Sequence, residues 1–304
     1  MKHISVIVVS LLITLTSSAQ SWSALPWMRT SRGAADISMA GSAFMSESNM
    51  AWASSGNAAM IPFCKEKMSV EAGYMLLNPA KTNYVNAAFA YNIKGKIGVT
   101  AGLSYGFDPA FDIYNESGKV TGQFTPGKLM FSAGASWRFI DVLSAGLNVR
   151  YAMQTLAEGQ SSSAVAADVV LMGQFGDFSV SAGAVNVGTP VKGIGGTTFP
   201  LASSAKVAAM YDKAFASVHG LQVNIDADYY FSNSFTAAAG AQYGWNDMVF
   251  VRAGYRYSTG TCVIPSFASV GIGCKFKGIR LDLAYLLAGE GLRNTISAGI
   301  GYSF

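Results

Sequence analysis

Residues that commonly carry catalysis are scarce in this chain. It contains two histidines, His3 and His219, and His3 lies in an N-terminal segment that we expect to be removed. A serine nucleophile activated by a histidine and an acid would therefore have to use His219, which lies beside a predicted turn and is interpreted as a turn residue. The sequence also lacks a Gly-Lys-Ser/Thr phosphate loop, paired metal ligands and a dinucleotide-binding fingerprint. It therefore predicts a protein that is not an enzyme and that needs neither a cofactor nor a metal.

The three cysteines, Cys64, Cys262 and Cys274, are dispersed along the chain. They are too few and too far apart for a disulfide framework or a zinc site. A disulfide bridge between Cys64 and Cys262 is one possibility in an oxidising compartment. Free thiols, buried or facing lipid, fit the sequence better.

Charged side chains recur at alternate positions within apolar segments. In residues 142–154, Leu147, Val149 and Tyr151 alternate with Asn148 and Arg150, and successive side chains of a β-strand point to opposite faces. In a wide membrane barrel the apolar face meets lipid and the polar face lines the lumen. The predicted lumen-facing charged residues are Arg138, Arg150, Asp226, Asp228, Arg252, Arg256, Arg280 and Asp282. We expect them mainly to pair across neighbouring strands; selecting or orienting a ligand is the alternative role.

The same alternation defines fourteen segments, which predicts an all-β fold: an antiparallel transmembrane barrel of about fourteen strands. Most segments have about the 9 to 11 residues that a tilted membrane strand needs or slightly more, and an even count suits a bacterial barrel. The segments are 67–78, 82–93, 95–106, 128–138, 142–154, 163–175, 177–186, 200–212, 219–232, 234–244, 247–258, 265–276, 277–286 and 294–303.

The connections between these segments alternate in length. If the first strand rises from the periplasm, the long connections, such as 107–127 and 187–199, lie outside, and most inner connections are short turns. This is the asymmetry of outer-membrane barrels. Only the inner connection around 213–218 is unexpectedly long.

Composition and the N-terminus agree with export to a membrane. Hydrophobic residues make up 51% of the chain and charged residues only 12%, about half of what soluble domains carry. No apolar run after residue 20 has the length of a membrane-spanning helix, about 18 residues or more. Residues 1–19 have the order of a secretory signal peptide, with cleavage expected after Ala19. The basic residues are scattered, so no nucleic-acid partner is predicted.

Aromatic residues concentrate near the ends of the predicted strands. Tyr105, Trp137, Trp245 and others are interpreted as membrane-interface anchors. The chain ends with Tyr302 and Phe304 on the same strand face, which resembles the C-terminal signal read by the outer-membrane assembly machinery. That machinery and the outer-membrane lipids are therefore expected partners.

Residues 20–66 precede the predicted barrel (67–304) and do not alternate. Their glycine-rich start, the run Ala40-Gly41-Ser42-Ala43-Phe44 and the motif Asn57-Ala58-Ala59 resemble the N-terminal hatch of the long-chain fatty-acid transporter (FadL) superfamily, and within it the PorV/PorQ family of type IX secretion. The resemblance implies a lumenal hatch with Gly33, Gly41, Phe44 and Asn57 as its marker residues. The chain departs from the family pattern in lacking the proline of the second motif and an acidic pair near Glu47.

The resemblance implies a component of type IX protein secretion in the outer membrane of a Gram-negative bacterium, with the translocon and secreted clients as partners. The alternative function is a FadL-like channel for hydrophobic small molecules. A purely structural accessory barrel is a third possibility.

Overall fold

The computed structural model describes residues 23–193, 196–216, 218–259, 262–289 and 291–304; the expected signal peptide lies outside them. The strands, in chain order, are β1 (Met68–Leu77), β2 (Thr82–Ile93), β3 (Ile97–Phe107), β4 (Phe111–Tyr114), β5 (Val120–Phe124), β6 (Gly127–Ile140), β7 (Leu143–Ala157), β8 (Gln160–Phe175), β9 (Phe178–Gly188), β10 (Val191–Lys192), β11 (Thr198–Phe199), β12 (Ser204–Phe215), β13 (His219–Tyr230), β14 (Ser234–Trp245), β15 (Val249–Ser258), β16 (Phe267–Phe276), β17 (Ile279–Ala288) and β18 (Ile296–Ser303).

Fourteen of these strands form one closed antiparallel barrel, which β18 completes by pairing with β1. Strands β4 and β5 form one separate hairpin in an outer loop, and β10 and β11 form another. The predicted fourteen-stranded barrel is confirmed, and each predicted segment overlaps one barrel strand.

Two details of the sequence analysis need correction. The long inner connection predicted at 213–218 is short, because β12 continues to Phe215, which pairs with His219 of β13. The two outer hairpins were not predicted, since their strands are too short to show a clear alternation.

The two faces of the barrel wall differ in the way the alternation predicts. On β7, Leu147, Val149 and Tyr151 are exposed on the outside, whereas Asn148 and Arg150 are buried on the inside. The outer face is apolar along the whole wall, and Trp137 and Trp245 stand 61% and 52% exposed near strand ends. A surface of this kind is stable in lipid rather than in water.

Residues 23–66, here called the hatch, form an α-helix (Ala34–Ser38) and three 3₁₀ helices (Pro26–Arg29, Glu47–Ser55 and Ala58–Phe63). The α-helix packs against β15 to β18, whereas Ala58–Phe63 packs against β3 and β6 to β8. The hatch therefore lies inside the lumen and touches opposite parts of the wall. In the described residues, no helix has the length and apolar character needed to cross a membrane.

The barrel strands carry glycines where the backbone of the hatch comes closest to the wall. A Cβ atom at Gly146 of β7 would lie 2.4 Å from the backbone nitrogen of Ala59, and one at Gly254 of β15 would lie 2.4 Å from the carbonyl carbon of Met39. Only glycine allows backbone to approach backbone so closely. The hatch and the wall are thus fitted to each other.

Candidate functional site

A cavity of about 490 Å³ lies between the hatch and the outer end of the barrel, the end that carries the longer loops. Its floor is formed by the hatch, including Trp27 and Met28, and its roof includes Ile264 and Leu292 from outer loops. Much of its wall belongs to one apolar cluster, which includes Met75, Tyr84, Phe267 and Leu286.

Asp228 of β13 is the centre of a buried ionic network on one side of the cavity. Its carboxylate accepts hydrogen bonds from Arg29 of the hatch (2.6 Å), Lys206 of β12 (2.9 Å) and the Ser204 hydroxyl (2.9 Å). Lys206 also donates to Asp226 at 2.7 Å. The network ties the hatch to the barrel wall, and neighbouring strands satisfy one another's charges.

Arg256 of β15 extends this network to the turn of the hatch. Its guanidinium donates to the carbonyl oxygens of Ala40 (2.9 Å) and Gly41 (3.1 Å) and lies 3.5 Å from Asp226. Gly41 has a positive φ of 75°, a conformation that suits glycine. The glycine marked by the hatch motif thus forms the turn that Arg256 holds.

Two further groups of charges pair inside the barrel. Arg252 donates to Asp282 at 2.6 Å, and Arg280 donates to Glu71 at 2.6 Å. Arg150 of β7 pairs with Asp168 of β8. Seven of the eight predicted lumen residues therefore lie in interior ion pairs, and their number and depth favour the structural role over ligand selection.

Arg138 is the exception among the predicted lumen residues. It lies at the inner rim, donates to the carbonyl oxygen of Asp141 (2.6 and 3.0 Å), and stacks over Phe63. The sequence analysis missed Arg29, Arg32, Glu71, Asp168 and Lys206. The alternation that selected the others also applies to Glu71, Asp168 and Lys206, whereas the two hatch arginines follow no such pattern.

The other marker residues of the hatch have packing roles. Gly33 lies against Trp52, whose indole carbon Cδ1 would be 2.5 Å from a Cβ there. Asn57 caps the last 3₁₀ helix by accepting a hydrogen bond from the Ala59 backbone nitrogen at 3.0 Å. The Phe44 ring lies 4.9 Å from the ammonium of Lys206 and lines the cavity.

The cysteines and His219 lie outside the cavity. Cys64 is at the inner end of the hatch, Cys262 is in an outer loop and Cys274 is exposed on β16; all three are free thiols, and the first two lie at opposite ends of the barrel. The Nδ1 atom of His219 lies 2.6 Å from the hydroxyl of Tyr243, and its ring stacks on Phe215 at the inner end of the wall. No group of acidic, histidine and cysteine side chains that could hold a metal occurs in the described ranges.

The C-terminal aromatics lie at the barrel seam. Tyr302 pairs with Val70 of β1, and the Phe304 backbone nitrogen donates to the Met68 carbonyl oxygen at 3.1 Å. Both rings are exposed on the outer face. Their role as an assembly signal stays a prediction.

No family model and no curated protein matches this sequence. Solved structures match over most of the chain. The toluene transporter TbuX of Ralstonia pickettii is 13% identical with a TM-score of 0.61, over 89% of this chain and 97% of TbuX. The toluene transporter TodX of Pseudomonas putida is 15% identical with a TM-score of 0.57, over 89% and 97%. A FadL homologue of Pseudomonas aeruginosa is 11% identical with a TM-score of 0.50, over 90% and 96%.

The chain has the fold of the FadL-like outer-membrane channels. At these identities the likeness concerns the fold, and the PorV/PorQ branch that the hatch motif suggested has no match among these structures. The closed barrel with its apolar outer face is built for the outer membrane of a Gram-negative bacterium, as the sequence predicted. Its neighbours are transport proteins rather than enzymes.

Proposed function

We propose that this barrel conducts small hydrophobic or amphipathic molecules through the outer membrane and that the outer cavity is their first binding site. The cavity carries the proposal: at about 490 Å³, it falls within the range of about 300 to 1,000 Å³ that small-molecule sites occupy. Its apolar residues come from the hatch, the wall and the outer loops. TbuX and TodX, which share the fold, are toluene transporters.

The position of the hatch sets the condition for passage. Trp27, Met28 and Phe44 lie beneath the cavity, and Ala58–Phe63 fills the lumen farther in. A molecule bound in the cavity therefore reaches the periplasm only if the hatch moves or the wall beside it opens.

Filling the cavity tests this proposal. Leu77 lines the cavity at the outer end of β1, so Leu77→Trp is expected to weaken binding of dodecanol or toluene to the purified barrel in lipid nanodiscs about tenfold. Val85→Trp is the matched control, because Val85 is 51% exposed on the lipid face. The proposal is wrong if the wild-type barrel binds neither probe, or if the two variants bind both probes as the wild type does.

A role in protein secretion is the second candidate, and the hatch motif at residues 40–44 and 57–59 favours it. The β4–β5 hairpin adds a surface that a protein could contact, since Phe111 and Tyr114 are 45% and 60% exposed there. A mild-detergent pull-down with mass spectrometry, compared with a chain lacking residues 21–60, tests this role. If no secreted protein or large translocon barrel is captured, the secretion role is abandoned.

A further inference from the structure

The inner rim of the barrel, the end that carries the short turns, is divided by charge. From β16 across the seam to β3, the wall carries a group of exposed lysines, here called the basic sector: Lys67, Lys94, Lys96 and Lys277. From β6 to β15, the inner ends of the strands and their turns carry exposed aspartates: Asp141, Asp177, Asp212 and Asp247. The rim is therefore basic on one side and acidic on the other.

Backbone hydrogen bonds place the basic sector on one continuous stretch of the rim. The Lys67 carbonyl oxygen accepts from the Asn92 nitrogen at 2.7 Å, beside the β2–β3 turn, and the Lys67 nitrogen donates to the Phe304 carbonyl oxygen at 2.6 Å. The Ser303 nitrogen donates to the Gly278 carbonyl oxygen at 2.8 Å, in the β16–β17 turn. The stretch from β17 to β3 covers four strand spacings of about 4.8 Å each, so the lysines lie along about 20 Å of rim.

The basic sector is not neutralised by the protein itself. Within the described ranges, no carboxylate lies within 4 Å of any of its four ammonium groups, whereas the neighbouring Lys275 pairs with Glu66 at 2.6 Å. In the acidic half, Lys213 lies 3.3 Å from Asp177. The terminal carboxylate of Phe304 is the other acidic group beside the sector. Four lysines against this one carboxylate leave a surplus of positive charge.

Two lysines of the basic sector lie over aromatic rings of the lipid-facing surface. The Lys277 ammonium is 5.4 Å from the ring centre of Phe276, which is 60% exposed on the outer face. The Lys67 ammonium is 5.7 Å from the ring centre of Tyr91, which points outward from β2. A lysine whose stem follows apolar surface holds its ammonium at the boundary between lipid and water. These charges therefore lie at the depth of the lipid headgroups.

We propose that the basic sector binds the phosphate groups of anionic phospholipids in the inner leaflet of the outer membrane and collects these lipids on one side of the barrel. Clusters of four or more basic residues beside a membrane attract anionic headgroups, and an ammonium pairs with phosphate as a compact charge. The aspartates of the opposite half repel the same lipids. This binding goes beyond the proposed function and does not depend on what the outer cavity holds.

Two tryptophans can report on the two halves of the rim separately. Trp137 pairs with Ile97, next to Lys96, whereas Trp245 lies in the acidic half, two residues before Asp247. Both indoles are exposed on the lipid face. The full barrel is placed in phosphatidylcholine nanodiscs that contain a minor fraction of lipid with brominated acyl chains, which quench tryptophan fluorescence at short range. Brominated phosphatidylglycerol is compared with brominated phosphatidylcholine.

The expected result is local enrichment of phosphatidylglycerol at the basic sector. In Trp245→Phe, where Trp137 reports, phosphatidylglycerol should be enriched about fivefold over phosphatidylcholine, the effect of one lysine near an anionic headgroup. In Trp137→Phe, where Trp245 reports, the two lipids should quench equally. Raising the salt from about 0.1 M to about 1 M shortens the screening length from about 10 Å to about 3 Å and should remove most of the enrichment.

The decisive variant replaces the four lysines of the basic sector with glutamine in the Trp245→Phe chain, and the two lipids should then quench equally. The matched control removes the same number of exposed lysines outside the sector and should keep the enrichment: Lys81→Gln, Lys119→Gln, Lys192→Gln and Lys213→Gln. Heat-modifiable migration verifies folding. If the fourfold variant does not assemble, Lys94→Gln with Lys96→Gln takes its place and should lower the enrichment at least twofold.

Three outcomes would overturn the inference. The first is equal quenching of Trp137 by both lipids in the barrel that keeps its lysines. The second is enrichment that persists in the folded neutral variant. The third is binding of soluble polyglutamate to the basic sector without enrichment of phosphatidylglycerol, which would show that the sector contacts an acidic polypeptide rather than lipid.

Discussion

Gly146→Ala should loosen the inner part of the hatch. The added Cβ would lie 2.4 Å from the Ala59 backbone nitrogen and 3.0 Å from the Ala58 carbonyl carbon. Because these are backbone atoms, no side-chain rotation relieves the overlap. The 3₁₀ helix Ala58–Phe63 must move away from β7, although neither the barrel strands nor their pairing changes.

The size of the effect follows from how tightly this helix packs. Ala58, Ala59, Met60 and Ile61 are each at most 1% exposed, and overpacking such a site costs about 1–3 kcal/mol. With about 1.4 kcal/mol for each factor of ten, the population of the displaced hatch should rise about 5- to 150-fold.

Cys64 reports this displacement, because it follows directly on the helix and its thiol lies 3.5 Å from the Met60 carbonyl oxygen. Burial also raises the pKa of the Cys64 thiol, so labelling in the wild type should be slow. The assay measures the rate of maleimide labelling in a chain with Cys262→Ser and Cys274→Ser. Gly220→Ala is the matched control, since a Cβ there meets open space.

Labelling of Gly146→Ala at the wild-type rate, in a barrel that shows normal heat-modifiable migration, would refute the reasoning. It would mean that the hatch does not dock on β7 at this distance. Faster labelling in both glycine variants would also refute it, because the effect would then come from the strands rather than from the contact with Ala59.

Two other perturbations test the charges of the hatch. Asp228→Asn removes the carboxylate that Arg29 and Lys206 share and should lower the free energy of unfolding by about 3–5 kcal/mol. The measurement is the temperature of heat-modifiable unfolding, which should fall. Asp112→Asn, at an exposed position, is the control and should change the free energy of unfolding by less than about 0.5 kcal/mol. Burial raises the pKa of Glu47 above its ordinary 4.5, so its contribution to stability is fully present below pH 4.5 and is lost as the pH rises through the raised pKa. Glu47→Gln should therefore remove the corresponding decline in thermal stability, and an unchanged pH profile would contradict this.

The barrel could be predicted because its information is local. Each strand carries its own alternation, and the lipid outside requires an apolar side chain at every second position of segments such as 143–157 and 219–230. Because the same pattern recurs in fourteen segments, a wrong boundary in one segment does not change the predicted fold. The hairpins β4–β5 and β10–β11 lie outside the membrane wall, so this requirement does not act on them, and they escaped prediction.

The cavity could not be predicted in the same way, because its critical contacts join distant residues. Arg29 donates a hydrogen bond to Asp228, which is 199 residues away in the sequence. The alternation predicts that Asp228 faces the lumen, but it does not predict which hatch residue contacts it. The environment of Arg32 is still harder to predict. Arg32 has no carboxylate partner among the described interior residues, and no sequence spacing indicates that a partner is missing. That feature becomes visible only when every other buried cation has been paired. Which charges pair inside the lumen is therefore decided by the fold, and alternation alone does not assign the partners.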